Sequence, residues 1–143
     1  MHVTHMNNIL NYCAANPASV SLTATVADAI EAMIQRRMGA AAIVDEHGVV
    51  AGVFTERDIM TRVALSGRDP HQTPITEMMT TPVLLATRST PIAEAVSVMI
   101  NHQKRHLPVV EDDGRLIGIL SIRHVLERQV DELTNQIRES ANV

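Results

Sequence analysis

The strongest constraint in this sequence is an internal repeat with an offset of 66 residues. Two apolar sets with the i, i+3, i+4, i+7, i+8 spacing of an amphipathic helix coincide at this offset. They are Val26, Ala29, Ile30, Met33 and Ile34, and Ile92, Ala95, Val96, Met99 and Ile100. Without a gap, the same offset carries Gly52 onto Gly118 and Arg57 onto Arg123. A single unit of this size cannot bury its apolar face alone, so we expect two similar units packed about a pseudo-twofold axis.

Each copy predicts the order helix, strand, strand, helix. The first helix is expected to begin near Thr25, with Asp28 as its capping-box partner. In the second copy, Thr90 is the expected cap and Pro91 the first helical residue. The expected ends of these two helices are Gly39 and Arg105.

Two strands joined by a turn follow each of these helices. The expected strands are 40–44 and 49–54 in the first copy and 107–110 and 115–120 in the second, with turns at 45–48 and 111–114. Thr55 and Ser121 are good N-caps for the closing helices. Short extended segments are expected at 17–22 and 82–85, and a connecting loop at 67–76.

Composition excludes several classes of function. The 16 Asp and Glu residues outnumber the 12 Lys and Arg, and a net charge of −4 has the wrong sign for binding a nucleic-acid backbone. Tyr12 and Phe54 are the only aromatic residues, too few to stack single-stranded bases. A lone cysteine, Cys13, excludes an intramolecular disulfide, and no apolar run is long enough to span a membrane. We therefore expect a cytoplasmic protein with no nucleic-acid or membrane partner.

Three stretches of sequence, in their order and duplication, resemble a known family. They are Met79-Thr80-Thr81-Pro82-Val83, Arg105-His106-Leu107-Pro108-Val109-Val110 and Gly52-Val53-Phe54-Thr55-Glu56-Arg57-Asp58-Ile59. They make the chain similar to a tandem pair of cystathionine-β-synthase (CBS) domains, the Bateman module. The resemblance implies an α/β (α+β) fold of two pseudo-twofold repeats, each a small sheet flanked by two helices, plus a C-terminal amphipathic helix. The expected boundaries are 8–67 for the first repeat, 68–76 for the linker, 77–127 for the second repeat and 128–143 for the C-terminal helix.

The resemblance also implies a ligand. CBS pairs bind adenosine-bearing molecules such as AMP, ADP, ATP, NAD(H) or S-adenosylmethionine between the repeats, and commonly form homodimers. The implied function is a stand-alone regulatory module that signals energy or redox state to a partner protein in trans. The alternative is a structural or scaffolding homodimer whose ligand site has decayed.

The turn that opens the closing helix of the first copy holds the best candidate site. Thr55 offers a hydroxyl and nearby free backbone N–H groups that suit phosphate. Asp58 is a carboxylate that can accept both hydroxyls of a ribose. The resemblance implies the same two roles. Thr-x-x-Asp is also a near capping box, and this purely structural interpretation stays open.

The second copy departs from this pattern. Its equivalent residues are Ser121, Arg123 and His124. Because a histidine cannot hold a diol as a carboxylate does, we expect one good site, led by Asp58, and one weak or empty site.

Cations and small residues complete the predicted sites. The phosphate candidates of the first copy are Arg57, Arg36 and Arg37. Candidates for phosphate binding or the weak second site are Lys104, Arg105, His106, Pro108, Ser121, Arg123 and His124. The candidates for an adenine slot are Val20, Ser21, Ala41 and Ala42. A solvated helix face is the alternative for the charged residues, and an ordinary strand core for the small ones.

No catalytic set is predicted. His102 and His106 have the spacing of paired metal ligands, but no third ligand is evident, so neither a metal nor a catalytic cofactor is expected. The sequence lacks a nucleophile elbow, a Walker loop and a kinase signature. We therefore expect a protein that is not an enzyme.

The C-terminal segment carries an apolar stripe of about two heptads, too short for a stable isolated coiled coil. Its residues are Leu126, Val130, Leu133 and Ile137. Packing on its own module and pairing with a second subunit or an effector are both open, with a homodimer as the default.

Overall fold

Two three-stranded sheets, one in each repeat, form the framework of the computed structural model, which describes residues 8–14 and 16–141. In the first sheet, β1 (Ser19–Ser21) lies parallel to the central β2 (Ala40–Val44), and β3 (Val50–Thr55) lies antiparallel to it. In the second sheet, β4 (Ala86–Thr87), β5 (His106–Val110) and β6 (Leu116–Ser121) have the same arrangement. The offset of 66 residues therefore relates β2 to β5 and β3 to β6 along their whole lengths.

Helices flank each sheet, as the sequence predicts. Helix α1 is Val26–Arg36, α2 is Glu56–Asp58 continued by a π-helical turn at Ile59–Val63, α3 is Ile92–Asn101 and α4 is Ile122–Ala141. Short 3-10 turns lie at Ile9–Tyr12 and Ile75–Glu77. Within residues 8–14 and 16–141, no helix is long and apolar enough to cross a membrane. The predicted α/β class with two repeats and a C-terminal helix is confirmed, and α4 is continuous through residue 127.

Each repeat buries its own apolar core. Phe54 on β3 is fully buried in the first core, where it packs with Met33 and Ile43. Met99 and Leu120 lie in the second core, together with Ile9 from the segment that opens the first repeat. The N-terminal segment thus completes the core of the second repeat, which ties the two repeats together.

The N-caps of the first helices differ between the repeats, although the helices begin at equivalent positions. The capping box at Thr25 and Asp28 is present, as predicted, because each residue's side chain accepts a hydrogen bond from the other's backbone N–H. The prediction for the second copy is wrong, since Pro91 is the N-cap and helix α3 begins at Ile92. The Thr90 hydroxyl instead accepts a hydrogen bond from the Thr87 backbone N–H at 3.0 Å. This bond closes the turn after β4 and draws Thr90 away from the helix.

The ends of α1 and α3 come earlier than predicted. The chain leaves the first helix at Arg37, with φ +53°, and passes through the same left-handed conformation at Gln103, with φ +55°. The expected ends, Gly39 and Arg105, lie two residues further on. Non-glycine residues seldom adopt this conformation, so the sequence carried no signal for it.

Reciprocal hydrogen bonds join the two repeats. Val50 N donates to Gly114 O at 3.1 Å, and Leu116 N donates to Gly48 O at 3.0 Å, so the two hairpin turns pair with each other. At the other end of the hairpin, β3 pairs with the segment that opens the second repeat: Thr80 N donates to Val53 O at 2.8 Å, and Val53 N donates to Thr80 O at 3.1 Å. Each repeat therefore fixes the chain that enters the other.

Gly52 and its counterpart Gly118 allow these entering segments to approach closely. A Cβ atom on Gly52 would lie 2.9 Å from Met79 Cγ, and one on Gly118 would lie 3.2 Å from Cys13 Sγ. Both glycines, which the repeat offset aligns, therefore leave space for a side chain of the neighbouring segment, Met79 at Gly52 and Cys13 at Gly118.

Candidate functional site

The turn between β3 and α2 has the geometry of a complete capping box. Thr55 has extended backbone angles, and its hydroxyl oxygen accepts a hydrogen bond from Asp58 N at 3.3 Å. In return, Thr55 N donates to Asp58 Oδ2 at 2.9 Å. The capping box that the structural interpretation of Thr-x-x-Asp predicts is therefore present.

The Asp58 carboxylate is almost completely buried and has four polar neighbours. Besides Thr55 N, the Thr55 hydroxyl donates to Oδ2 at 3.2 Å and the Thr80 hydroxyl donates to Oδ1 at 3.4 Å. The fourth neighbour is the Arg62 guanidinium, whose Nε lies 3.6 Å from Oδ1. A carboxylate has about four acceptor positions, so all of them face a partner. The two hydroxyl contacts are long for O–H···O bonds and are the easiest to replace.

Thr80 and Arg62 were missed by the sequence analysis. Arg62 follows Asp58 by four residues, and that spacing would have suggested an ion pair on one helix face. Thr80 is 22 residues away and reaches Asp58 only because its segment pairs with Val53 on β3. No local pattern could reveal that contact.

A cavity of about 820 Å³ lies between the repeats, close to the start of α4. Its charged and titratable lining residues are Arg37, Arg105, Arg123, His106, His124, Glu56 and Glu127. Thr55 and Asp58 are not among the described residues that line it. Three guanidinium groups against two carboxylates give this cavity a positive balance that suits an anion.

His106 lies where the two repeats meet. A Cβ atom on Gly39 would lie 3.0 Å from His106 Cε1 and 3.2 Å from Glu56 Oε2, so the glycine lets both side chains approach the backbone closely. Burial lowers the pKa of His106 and the Arg105 charge lowers it further, while the Glu56 carboxylate opposes both effects. The imidazole is therefore neutral at pH 7 and can accept as well as donate a hydrogen bond.

The CBS domain model matches the sequence twice, at residues 9–65 and 75–131. The chain belongs to the CBS domain family. The CBS domain-containing protein YhcV of Bacillus subtilis is 33% identical over 136 residues, which cover 95% of this chain and 93% of that protein.

Solved CBS structures share the fold. The CBS domain protein PAE2072 from Pyrobaculum aerophilum, complexed with AMP, is 28% identical with a TM-score of 0.73, over 82% of this chain and 88% of that one. The CBS domain pair of protein MJ0100, in complex with 5-methylthioadenosine and S-adenosyl-L-methionine, has a TM-score of 0.77 over 87% of this chain and 97% of that one. At 23% identity, the second likeness concerns the fold alone.

The strand-to-helix turn of the second CBS repeat has the same backbone arrangement as that of the first but different side chains. Glu56 N donates to Gly39 O at 3.0 Å, and Ile122 N donates to Arg105 O at 2.9 Å. In each repeat, the first residue of the closing helix is therefore bonded to the residue just before the central strand. In the second repeat, the cavity is lined by Ser121, Arg123 and His124 at this position. The two repeats of this chain share the framework, whereas the carboxylate, Asp58, is present only in the first.

The remaining predicted cations are exposed on the surface. Arg57 follows Thr55 at the start of α2, Arg36 ends α1, and Lys104 lies just before β5. None of these three is among the described residues that line the cavity, in contrast to Arg37 and Arg105.

The four adenine-slot candidates do not come together in the cavity. Ala41 lies in the core of the first repeat, and Val20 packs against that core. Ala42 is fully buried and its N–H donates to Ala18 O at 2.9 Å, while the exposed Ser21 hydroxyl bonds to Thr23 Oγ1 at 3.0 Å. Pro108 is also buried, paired with Ile119 on β6. Alternation along β2 turns Ala41 toward the core and Ala42 toward the opposite face of the sheet.

Other reactive groups are few. Burial raises the pKa of the Cys13 thiol to about 11, so the thiol stays protonated at neutral pH. Within residues 8–14 and 16–141, no three His, Cys, Asp or Glu side chains cluster closely enough to hold a metal ion.

Proposed function

We propose that this CBS pair is a regulatory module that binds an adenosine-containing nucleotide, with Asp58 holding the ribose and Thr55 the phosphate. The observation that carries the proposal is the buried Asp58 carboxylate at the strand-to-helix turn, with two long hydroxyl contacts on its accepting oxygens. Ribose hydroxyls can take the places of the Thr55 and Thr80 hydroxyls. The backbone bond from Thr55 N, at 2.9 Å, keeps the carboxylate in place during the exchange.

The opposite wall of this proposed site comes from the second repeat. The cavity lining pairs His124 with Arg37, Met38 and Gly39. Moved by the repeat offset, those three positions correspond to Gln103, Lys104 and Arg105, which would face Asp58 in the same way. Lys104 and Arg105 are therefore the proposed phosphate partners from the second repeat.

The ligand class rests on a relative. The Pyrobaculum protein, which is 28% identical to this chain, is complexed with AMP. AMP is an adenosine nucleotide with both ribose hydroxyls, which is what a carboxylate at Asp58 recognises. Catalysis is not part of the proposed function.

Thermal unfolding with AMP, ADP, ATP, NAD, NADH and S-adenosylmethionine at matched millimolar concentrations tests this function. A ligand present at 100 times its Kd adds about 2.7 kcal/mol to the free energy of unfolding, which raises the midpoint by several degrees. The purified protein must first be shown to carry no bound nucleotide. If none of the six compounds shifts the midpoint, the nucleotide-sensor function is contradicted.

A homodimer is the second part of the proposal, because four large apolar side chains, one on each helix, are more than half exposed. They are Ile34 (69%), Met60 (66%), Ile100 (65%) and Leu126 (56%). The repeat offset relates the first to the third and the second to the fourth, so the helices of the two repeats expose apolar side chains at equivalent positions. A second copy of the chain would present an identical face, as a twofold interface requires.

Helix α4 extends this face beyond the repeats. Val130, Leu133 and Ile137 are 60%, 58% and 69% exposed, so the stripe does not pack on the described part of its own module. Counted as heptads, Val130 and Ile137 fall at a positions and Leu126 and Leu133 at d positions. β-Branched residues at a with leucine at d favour a parallel two-stranded coiled coil, and attachment to the larger helical face compensates for its short length.

Charge in the stripe tests the dimer. Leu133→Glu is expected to weaken dimerisation at least about tenfold, because it places two carboxylates in an apolar seam. Asn135→Glu adds the same charge on the outer face of the same helix and should leave the dimer unchanged. Sedimentation equilibrium measures both. A monomeric wild type, or equal effects of the two variants, would contradict the proposed interface.

The exposed stripe also supports the alternative function, a structural or scaffolding dimer without a ligand. The two functions predict different results in the same two experiments. A dimer that shows no thermal shift with any of the six ligands would favour the scaffold.

A further inference from the structure

Arg62 connects the proposed ribose site to the chain that enters the second repeat. Its Nε lies 3.6 Å from Asp58 Oδ1, and its Nη1 donates to Met78 O at 3.2 Å and to Met79 O at 3.0 Å. The next residue in the chain, Thr80, hydrogen-bonds to the same carboxylate oxygen. One guanidinium group thus touches the carboxylate and the backbone that carries its hydroxyl partner.

The second repeat contains the counterpart of this arginine without the counterpart of the carboxylate. Arg128 corresponds to Arg62, and its guanidinium lies 5.9 Å from the centre of the Tyr12 ring. Tyr12 occupies the position that corresponds to Met78 at the repeat offset. Both arginines therefore contact the segment that enters the opposite repeat. His124 replaces Asp58 there, and Arg128 pairs instead with Glu132 at 3.6 Å. Contact with a site carboxylate is the feature that distinguishes Arg62.

We propose that Arg62 is a positioning residue for ribose recognition: it holds Oδ1 of Asp58 in place when ribose hydroxyls displace the Thr80 hydroxyl. This inference rests on the proposed function. Oδ2 is fixed by the Thr55 backbone, so a second anchor on Oδ1 sets the plane of the carboxylate. A diol needs both oxygens in one fixed plane, because its two hydroxyls are held at a fixed spacing by the ribose ring. When the Thr80 hydroxyl is displaced from Asp58, the Thr80 backbone remains paired with Val53. Ligand binding therefore breaks a side-chain hydrogen bond at the junction between the repeats and keeps the backbone pairing there.

Equilibrium binding of AMP and of 2′,3′-dideoxy-AMP, which lacks the diol, tests this role. We expect Arg62→Gln to weaken AMP binding about 5- to 10-fold and to change dideoxy-AMP binding less than about twofold. Arg62→Lys, which keeps the charge but cannot bridge two carbonyls and a carboxylate, should give an intermediate loss for AMP. Arg128→Gln is the matched control and should change neither affinity.

The preference of each variant for AMP over dideoxy-AMP separates positioning from general stability. A variant that only loosens the fold weakens both nucleotides together, and that result, or no loss for either, would overturn the role of Arg62. Failure of the wild type to bind any of the six compounds would contradict the proposed function itself and the inference with it. The two failures are therefore distinguishable.

Discussion

Asp58→Ala is expected to weaken AMP binding about 100-fold or more. Two ribose hydroxyls bound to one carboxylate are charge-assisted hydrogen bonds, each contributing about 1.5–3 kcal/mol. Losing both removes at least about 3 kcal/mol, which exceeds a factor of 100 in Kd. Isothermal titration of wild type and variant measures the change.

The variant also loses a helix cap, so it requires a control that loses only a cap. Asp28→Ala removes the same capping box from α1, where Thr25 N donates to Asp28 Oδ2 at 3.0 Å and the side chain is exposed. We expect Asp28→Ala to lower the free energy of unfolding by about 1 kcal/mol and to leave AMP affinity unchanged. Equal losses of affinity in the two variants would show that Asp58 acts only through the helix.

Phe54→Ala is expected to have the largest effect on stability. Among the described residues, Phe54 is the largest fully buried side chain, and it belongs to the first core. Removing its ring leaves a cavity that β2 and α1 cannot fill, and such changes cost about 3–5 kcal/mol. For a chain of this size, the midpoint of thermal unfolding should fall by about 10 °C or more.

Leu65 provides the matched comparison. Its side chain is 97% exposed, so Leu65→Ala should change the free energy of unfolding by less than about 0.5 kcal/mol. A Phe54→Ala variant as stable as Leu65→Ala would mean that the first repeat is not organised around this ring.

The repeat made most of the framework predictable. A strict offset carries strand periodicity, turn glycines and helix starts from one copy to the other, and β2, β3, β5 and β6 lie within a residue of their predicted positions. The wrong predictions concern the start of α3 and the ends of α1 and α3. The Thr90 hydroxyl bonds to the Thr87 backbone and cannot cap α3. Arg37 ends α1 in a left-handed conformation that its structural context enforces.

The candidate site was predictable only where it is local. Thr55 and Asp58 are three residues apart, so their turn follows from sequence, whereas Thr80 reaches Asp58 through a pairing between the repeats. The adenine-slot candidates show the same limit. A run of small residues indicates a buried strand, but which of Ala41 and Ala42 faces the core depends on the register of β2 with β3.

A crystal structure of the chain with bound AMP tests the central claim, that Asp58 holds the ribose, most directly. We predict that both ribose hydroxyls lie at about 2.5–2.8 Å from the Asp58 carboxylate oxygens, with the Thr80 hydroxyl displaced from Oδ1. An AMP whose ribose lies beside His124 in the 820 Å³ cavity, with the Thr80 to Asp58 hydrogen bond intact, would contradict the claim.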